Sequence, residues 1–168
     1  PSDLPVQSNT TGYDGQFYYR LALDPLTRHA TAFHITLDNP PYRQQRIGFP
    51  ATAWVVNEVT RVPMSLALVL VNALAIVAIA SVGAGWAKKY GHSPLWGFAL
   101  ATSPALVMAL ARDLTEPLAT ASLVLGLLWW SDGRRWPAAA AFSVAALCRE
   151  TILIVLIIMT VIATLNLV

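Results

Sequence analysis

The sequence predicts an all-α protein: polytopic membrane helices with two juxtamembrane interfacial helices in an external loop. Three observations lead there. Of the 168 residues, 56% are hydrophobic and only 12% are charged, too few charges to cover a solvated surface. The charges after Val62 fall into four short clusters: Lys88-Lys89, Arg112-Asp113 with Glu116, Asp132 with Arg134-Arg135, and Arg149-Glu150. Uncharged tracts lie between them, and Val62 to Ala87 is long enough to span a hydrocarbon core of roughly 30 Å at about 1.5 Å per residue.

Each tract predicts one helix. The expected transmembrane bundle, 63–168, contains helices at about 64–86, 95–111, 116–130, 137–148 and 151–168. Lys and Arg concentrate on the cytoplasmic side of membrane helices, so Lys88-Lys89 marks one inside loop and Arg134-Arg135 the next. Arg112 to Glu116 and Arg149-Glu150 then fall outside, and so does the polar segment 1–46 of an external loop spanning 1–62. A crossing within 47–62 would invert every later loop. That segment instead predicts an interfacial helix, with Ala51, Trp54, Val55, Val59 and Val62 at helical spacing and Asn57, Glu58 and Arg61 interrupting them. A shorter one is expected at about 14–23, where Phe17, Tyr18 and Leu21 form an apolar side and Pro25 limits its length. Pro40-Pro41 is read as the separator between the two. The missing initiator Met and the apolar last eighteen residues lead us to expect a piece of a longer protein, with a membrane helix before Pro1.

Several function classes lose support at this stage. The formal net charge is +2, and no basic run is interleaved with aromatics, so nucleic acid is not an expected partner. Cys148 stands alone in an apolar run, which excludes an internal disulfide and predicts a small core residue. His29, His34 and His92 lack metal-ligand spacing. Asn9-Thr10-Thr11 matches a glycosylation sequon too short to carry an argument.

The predicted topology gathers Asp14, Arg43, Arg46, Arg112, Asp113, Glu116, Arg149 and Glu150 at one outer surface. Ionisable groups near membrane depth pair with one another or line wet cavities. Carboxylates and arginines together suit a reaction on a lipid-linked phosphate, which guanidinium forks hold while a carboxylate takes a proton from an incoming hydroxyl. Each residue also has a plainer reading. Asp14 could cap the helix after it, and Asp113, Glu116 and Pro117 form an ordinary helix start. Arg43 and Arg46 could anchor headgroups, and Arg149-Glu150 could neutralise each other at a helix junction.

The stretch Gly12-Tyr13-Asp14-Gly15-Gln16-Phe17-Tyr18-Tyr19-Arg20, followed by Tyr42-Arg43-Gln44-Gln45-Arg46-Ile47, Arg112-Asp113-Leu114-Thr115-Glu116-Pro117 and Arg149-Glu150-Thr151, resembles bacterial membrane proteins of cell-surface glycopolymer formation. These are similar to the GT-C glycosyltransferase superfamily. The resemblance implies a multi-pass enzyme of the bacterial cytoplasmic (inner) membrane, with its active face external or periplasmic. It implies a polyprenyl-phosphate-linked sugar as donor and a glycan, lipid or protein as acceptor. In that superfamily the first external loop carries an essential acid and two juxtamembrane helices; Asp14 matches the acid, and 14–23 and 47–62 match the helices. A second acid recurs in the next external loop, where Asp113 or Glu116 falls. The lone Asp14 beside Gly15, where some relatives have paired acids, leaves a divalent cation an open question.

The expected reaction is an inverting, direct displacement. Asp14 is the expected catalytic base, Arg43, Arg46, Arg112 and Arg149 the phosphate and donor ligands, and Asp113, Glu116 and Glu150 supporting acids. The alternative is a non-enzymatic transporter or flippase subunit, or an assembly partner, handling lipid-linked glycans. It needs the arginines but no base, and a transporter should show interrupted helices near the midplane. A purely structural membrane module would let the outer charges point apart.

Overall fold

The structure, a computed structural model, describes residues 13–165. Gly12, the sequon at Asn9 and the last three residues of the predicted helix 151–168 lie outside the described residues. Among the described residues the fold is all-α apart from one minimal hairpin.

Helix α1 spans Asp14–Leu23, with Asp14 in its first turn, where a carboxylate favours the helix dipole. A hairpin follows, strands β1 (Thr31–Ala32) and β2 (Ile35–Thr36), joined through Phe33 and His34 at φ 51° and 63°. Two consecutive left-handed residues give a two-residue turn that Asn-Gly usually signals. Phe-His carries no such signal, so the hairpin is not legible in the sequence. Helix α2, Pro40–Gln45, revises the reading of Pro40-Pro41 as a separator: the two prolines occupy its first turn, where a missing N–H has no intrahelical partner to lose.

Helix α3, Gly48–Thr60, fills most of the predicted segment 47–62. It stops where Arg61 turns left-handed at φ 59°, and the Asn57 side-chain amide donates to the Val62 carbonyl at 2.6 Å. Helix α4, Met64–Lys89, runs 26 residues, about 39 Å at about 1.5 Å per residue, and ends before Gly91, whose φ is +75°. Among the described residues it is the one helix long and apolar enough to cross a membrane.

The predicted continuous helix 95–111 is corrected to two, α5 (Leu95–Ala101) and α6 (Pro104–Ala111). Pro104 has no N–H for the helical ladder and forces Ser103 out of helical geometry, to ψ 139°. Helices α7 (Glu116–Ser131) and α8 (Arg135–Cys148) form an antiparallel pair turned at Gly133, φ +74°. Helix α9 is Ile152–Leu165; it is apolar except for Thr160 and Thr164, whose hydroxyls bond back to the helix backbone, yet none of its residues is buried.

Helix α4 is the central element, packing against α1, α3, α5, α6 and α7. One core cluster joins Tyr18, Phe49, Met64, Leu68, Val71, Ala119 and Cys148, so it ties α1, α3, α4, α7 and α8 together at one end. The expected core role of Cys148 is met: the thiol is free and fully buried. Tyr18 and Phe49 meet edge to face at 6.0 Å.

Candidate active site

Two close backbone approaches assemble the site at the end of α4 that carries Met64. A Cβ added to Gly15 would lie 2.3 Å from the Arg112 carbonyl oxygen, so the start of α1 rests directly on the turn between α6 and α7. A Cβ on Gly48 would lie 2.8 Å from Cys148 Sγ, which docks the start of α3 on the end of α8. The Asn72 side-chain amide donates to the Leu114 carbonyl at 3.0 Å and holds the same turn to α4. Segments far apart in the chain thereby converge around α1.

The charged residues at this end are paired. Arg43 grips Asp38 through two hydrogen bonds, both 2.8 Å, and its Nη1 lies 2.9 Å from Asp14 Oδ2. Arg46 donates to both Glu150 oxygens, at 2.9 and 2.6 Å, across 104 residues of sequence. Arg149 pairs with Glu116. Aromatic faces complete the cradle: Arg43 lies 4.5 Å from the Phe17 ring and 5.4 Å from Tyr42, while Arg46 lies 4.3 Å from Tyr42. Arg112 differs, being exposed, stacked 4.4 Å from the Tyr13 ring, and in no ion pair among the described residues.

Exposure separates the members. The Arg43 and Arg46 side chains are 7% and 8% exposed and each donates two hydrogen bonds to one carboxylate, Asp38 and Glu150, so they hold the architecture. The Asp14 side chain is 44% exposed and leaves a carboxylate edge open to solvent. Hydrogen bonds from Arg43 hold Asp38 down at about 2, and those from Arg46 do the same for Glu150. The same bonds push both guanidiniums above their ordinary range. Because the folded carboxyls titrate lower than unfolded ones, their contribution is complete above about pH 4.5 and disappears as pH falls towards about 2. Thermal unfolding in detergent should therefore show a steep loss of Tm across that window. Salt should shrink the loss, both carboxylates being partly solvated, and Glu150→Gln should flatten it; an equally steep loss in that variant would contradict the assignment.

Asp113 behaves in the opposite way. It sits left-handed at φ 50°, its Oδ1 is buried without a partner, and burial raises its pKa. A raised folded value favours the native state at low pH and loses that advantage as pH rises, so the ionised carboxylate weakens the fold at neutral pH. Asn tolerates the same backbone conformation without a charge. We expect Asp113→Asn to unfold at an equal or higher temperature at pH 7, with the gain shrinking in acid; a lower Tm at pH 7 would show that Oδ1 has a partner worth keeping.

All eight residues singled out in the sequence lie at this end, joined in pairs or, for Arg112 and Asp113, by the contact with Gly15. Sequence reasoning missed Asp38, which holds Arg43, and gave no role to Tyr13 and Tyr42, though both stand in the quoted motifs. A usable signal existed for one of them: Tyr42 and Arg46 are four apart, one helical turn, once Pro40-Pro41 is read as a helix start. No group of three His, Cys, Asp or Glu able to hold a metal occurs among the described residues. No family model, curated protein or solved structure matches the chain.

Proposed function

We propose that the chain is part of a multi-pass membrane glycosyltransferase of GT-C type, moving a sugar from a polyprenyl-phosphate carrier to an acceptor hydroxyl at the outer face of the bacterial cytoplasmic membrane. The observation that carries the reading is the pairing around α1: a half-exposed Asp14 fixed 2.9 Å from buried Arg43, beside an exposed, unpaired Arg112. A structural module would let these charges diverge. Membrane crossing is supported by α4 and by the largely apolar exposure of α9, surfaces that suit lipid better than water.

In the proposed displacement Asp14 takes the proton of the acceptor hydroxyl as that oxygen attacks the anomeric carbon. The bond from that carbon to the carrier phosphate breaks, and the phosphate departs with the bonding electrons. Arg112, whose N–H groups no carboxylate claims, meets the growing phosphate charge, and Arg149 joins it from its pair with Glu116. Arg43 and Arg46 are positioning residues: Arg43, clamped by Asp38, fixes Asp14, and Arg46 ties α2 to the α8–α9 junction through Glu150.

One observation favours the transporter reading: the break between α5 and α6 falls in the middle of the apolar tract 90–111, where discontinuous helices of transporters bind their cargo. An assay of sugar release from polyprenyl-phosphate donors by the full-length protein separates the two. The transferase releases sugar to an acceptor, and Arg112→Ala lowers that rate by about 10²- to 10³-fold. Movement of intact donor across the bilayer without release would overturn the transferase.

A further inference from the structure

We propose that the opposite end of the bundle is a binding site for anionic phospholipid headgroups. A groove of about 430 Å³ opens there, lined by Trp86, Ala87, Lys89 and Tyr90 at the end of α4 and by Ser131 at the end of α7. Just beyond Ser131, Arg134 lies 5.8 Å from the Trp129 ring and Arg135 lies 4.0 Å from Trp130. Helix α8 also begins here, at Arg135, without a side-chain cap on its first N–H groups.

The charge balance at this end identifies the occupant. Lys88, Lys89, Arg134 and Arg135 face a single acid, Asp132, and none of the four takes part in an ion pair among the described residues. At the α1 end, by contrast, three of the four site arginines are neutralised by carboxylates from the same chain. Four exposed cations with no carboxylate partner among the described residues set up a positive field that attracts an external anion. The surroundings favour an amphiphilic one: the Trp129 and Trp130 rings lie against Arg134 and Arg135, Trp86 lines the groove with Lys89, and Tyr90, Trp96 and Trp136 are exposed. Such rings partition to the level of lipid headgroups, and basic clusters there attract anionic lipid. The two lysines act as point charges with no planar fork, and the two arginines lie against Trp rings, so the net charge of the headgroup should matter more than its shape. Acyl chains from a lipid held here would run along the exposed apolar side chains of α5, such as Leu95 and Phe98.

The inference rests on the helices spanning a bilayer, not on the transferase chemistry. The test uses the full-length protein in nanodiscs of phosphatidylcholine with and without phosphatidylglycerol, with retained lipid measured by native mass spectrometry and unfolding followed thermally. The unmutated protein should retain phosphatidylglycerol in preference and unfold at higher temperature with it, by a margin that high salt reduces. The double variant Lys89→Gln, Arg135→Gln should weaken that preference by about five-fold per charge removed, whereas Lys89→Arg, Arg135→Lys should keep it. Equal retention of the two lipids by the unmutated protein, or a preference untouched by loss of both charges, would overturn the site while leaving the membrane reading intact. A protein that stays dispersed and folded in buffer without lipid or detergent overturns both.

Discussion

Asp14→Asn in the full-length protein should lower sugar transfer by about 10²- to 10⁴-fold, the range over which a positioned general base contributes, while leaving membrane insertion and donor binding close to normal. The local structure explains why the effect should be confined to chemistry. Arg43 keeps its two 2.8 Å hydrogen bonds to Asp38 when the charge at position 14 is removed, so the buried guanidinium is not stranded. Asn retains the size and polarity of Asp at the first turn of α1 and loses only the ability to accept a proton. Transfer rates with polyprenyl-phosphate donors, measured beside a thermal melt, check this. An undiminished rate removes Asp14 from the mechanism; a collapsed melt means that its pairing with Arg43 is structural.

The second large effect is expected at Gly15. A methyl group there would occupy space 2.3 Å from the Arg112 carbonyl oxygen, a backbone atom with little room to retreat. Gly15→Ala should force α1 away from the α6–α7 turn, lowering stability by about 1–3 kcal/mol and separating Asp14 from Arg112, so transfer should fall as well. Gly85 provides the control: nothing lies within 4 Å of a Cβ there, and it sits inside helix α4. Gly85→Ala should leave transfer unchanged and stability equal or raised, alanine being favoured over glycine in a helix interior. Comparable melting temperatures for the two variants would show that the approach of α1 to the turn is looser than described.

How much of this was legible in the sequence depended on which force set each element. Hydrophobic burial and charge clustering leave long-period signals, so the limits of α4 and the turn at Arg134-Arg135 could be read from where charges interrupt apolar tracts. The helix break at Thr102-Ser103 was available in principle, since Pro104 dictates it, but the apolar run around it masked that single residue. The hairpin was not available. Its turn depends on Phe33 and His34 accepting positive φ, a conformation that packing imposes against their intrinsic preference. The site was legible as a list of charges on one face and not as pairs. That Arg46 reaches Glu150, and that Asp38 clamps Arg43, follows from the docking of α3 on α8 and from the short helix α2, neither of which leaves a periodic trace.

The central claim is that the acid and guanidinium cluster and the Lys88 to Arg135 end face opposite sides of a membrane. Site-directed labelling tests it most directly. Single cysteines at Leu26, 90% exposed beside the cluster, and at Lys89 in the basic groove can be challenged with a membrane-impermeant thiol reagent in intact and permeabilised cells. The buried native Cys148 should not compete. Leu26→Cys should be labelled in intact cells and Lys89→Cys only after permeabilisation; labelling of both, or of neither, in intact cells would contradict the account.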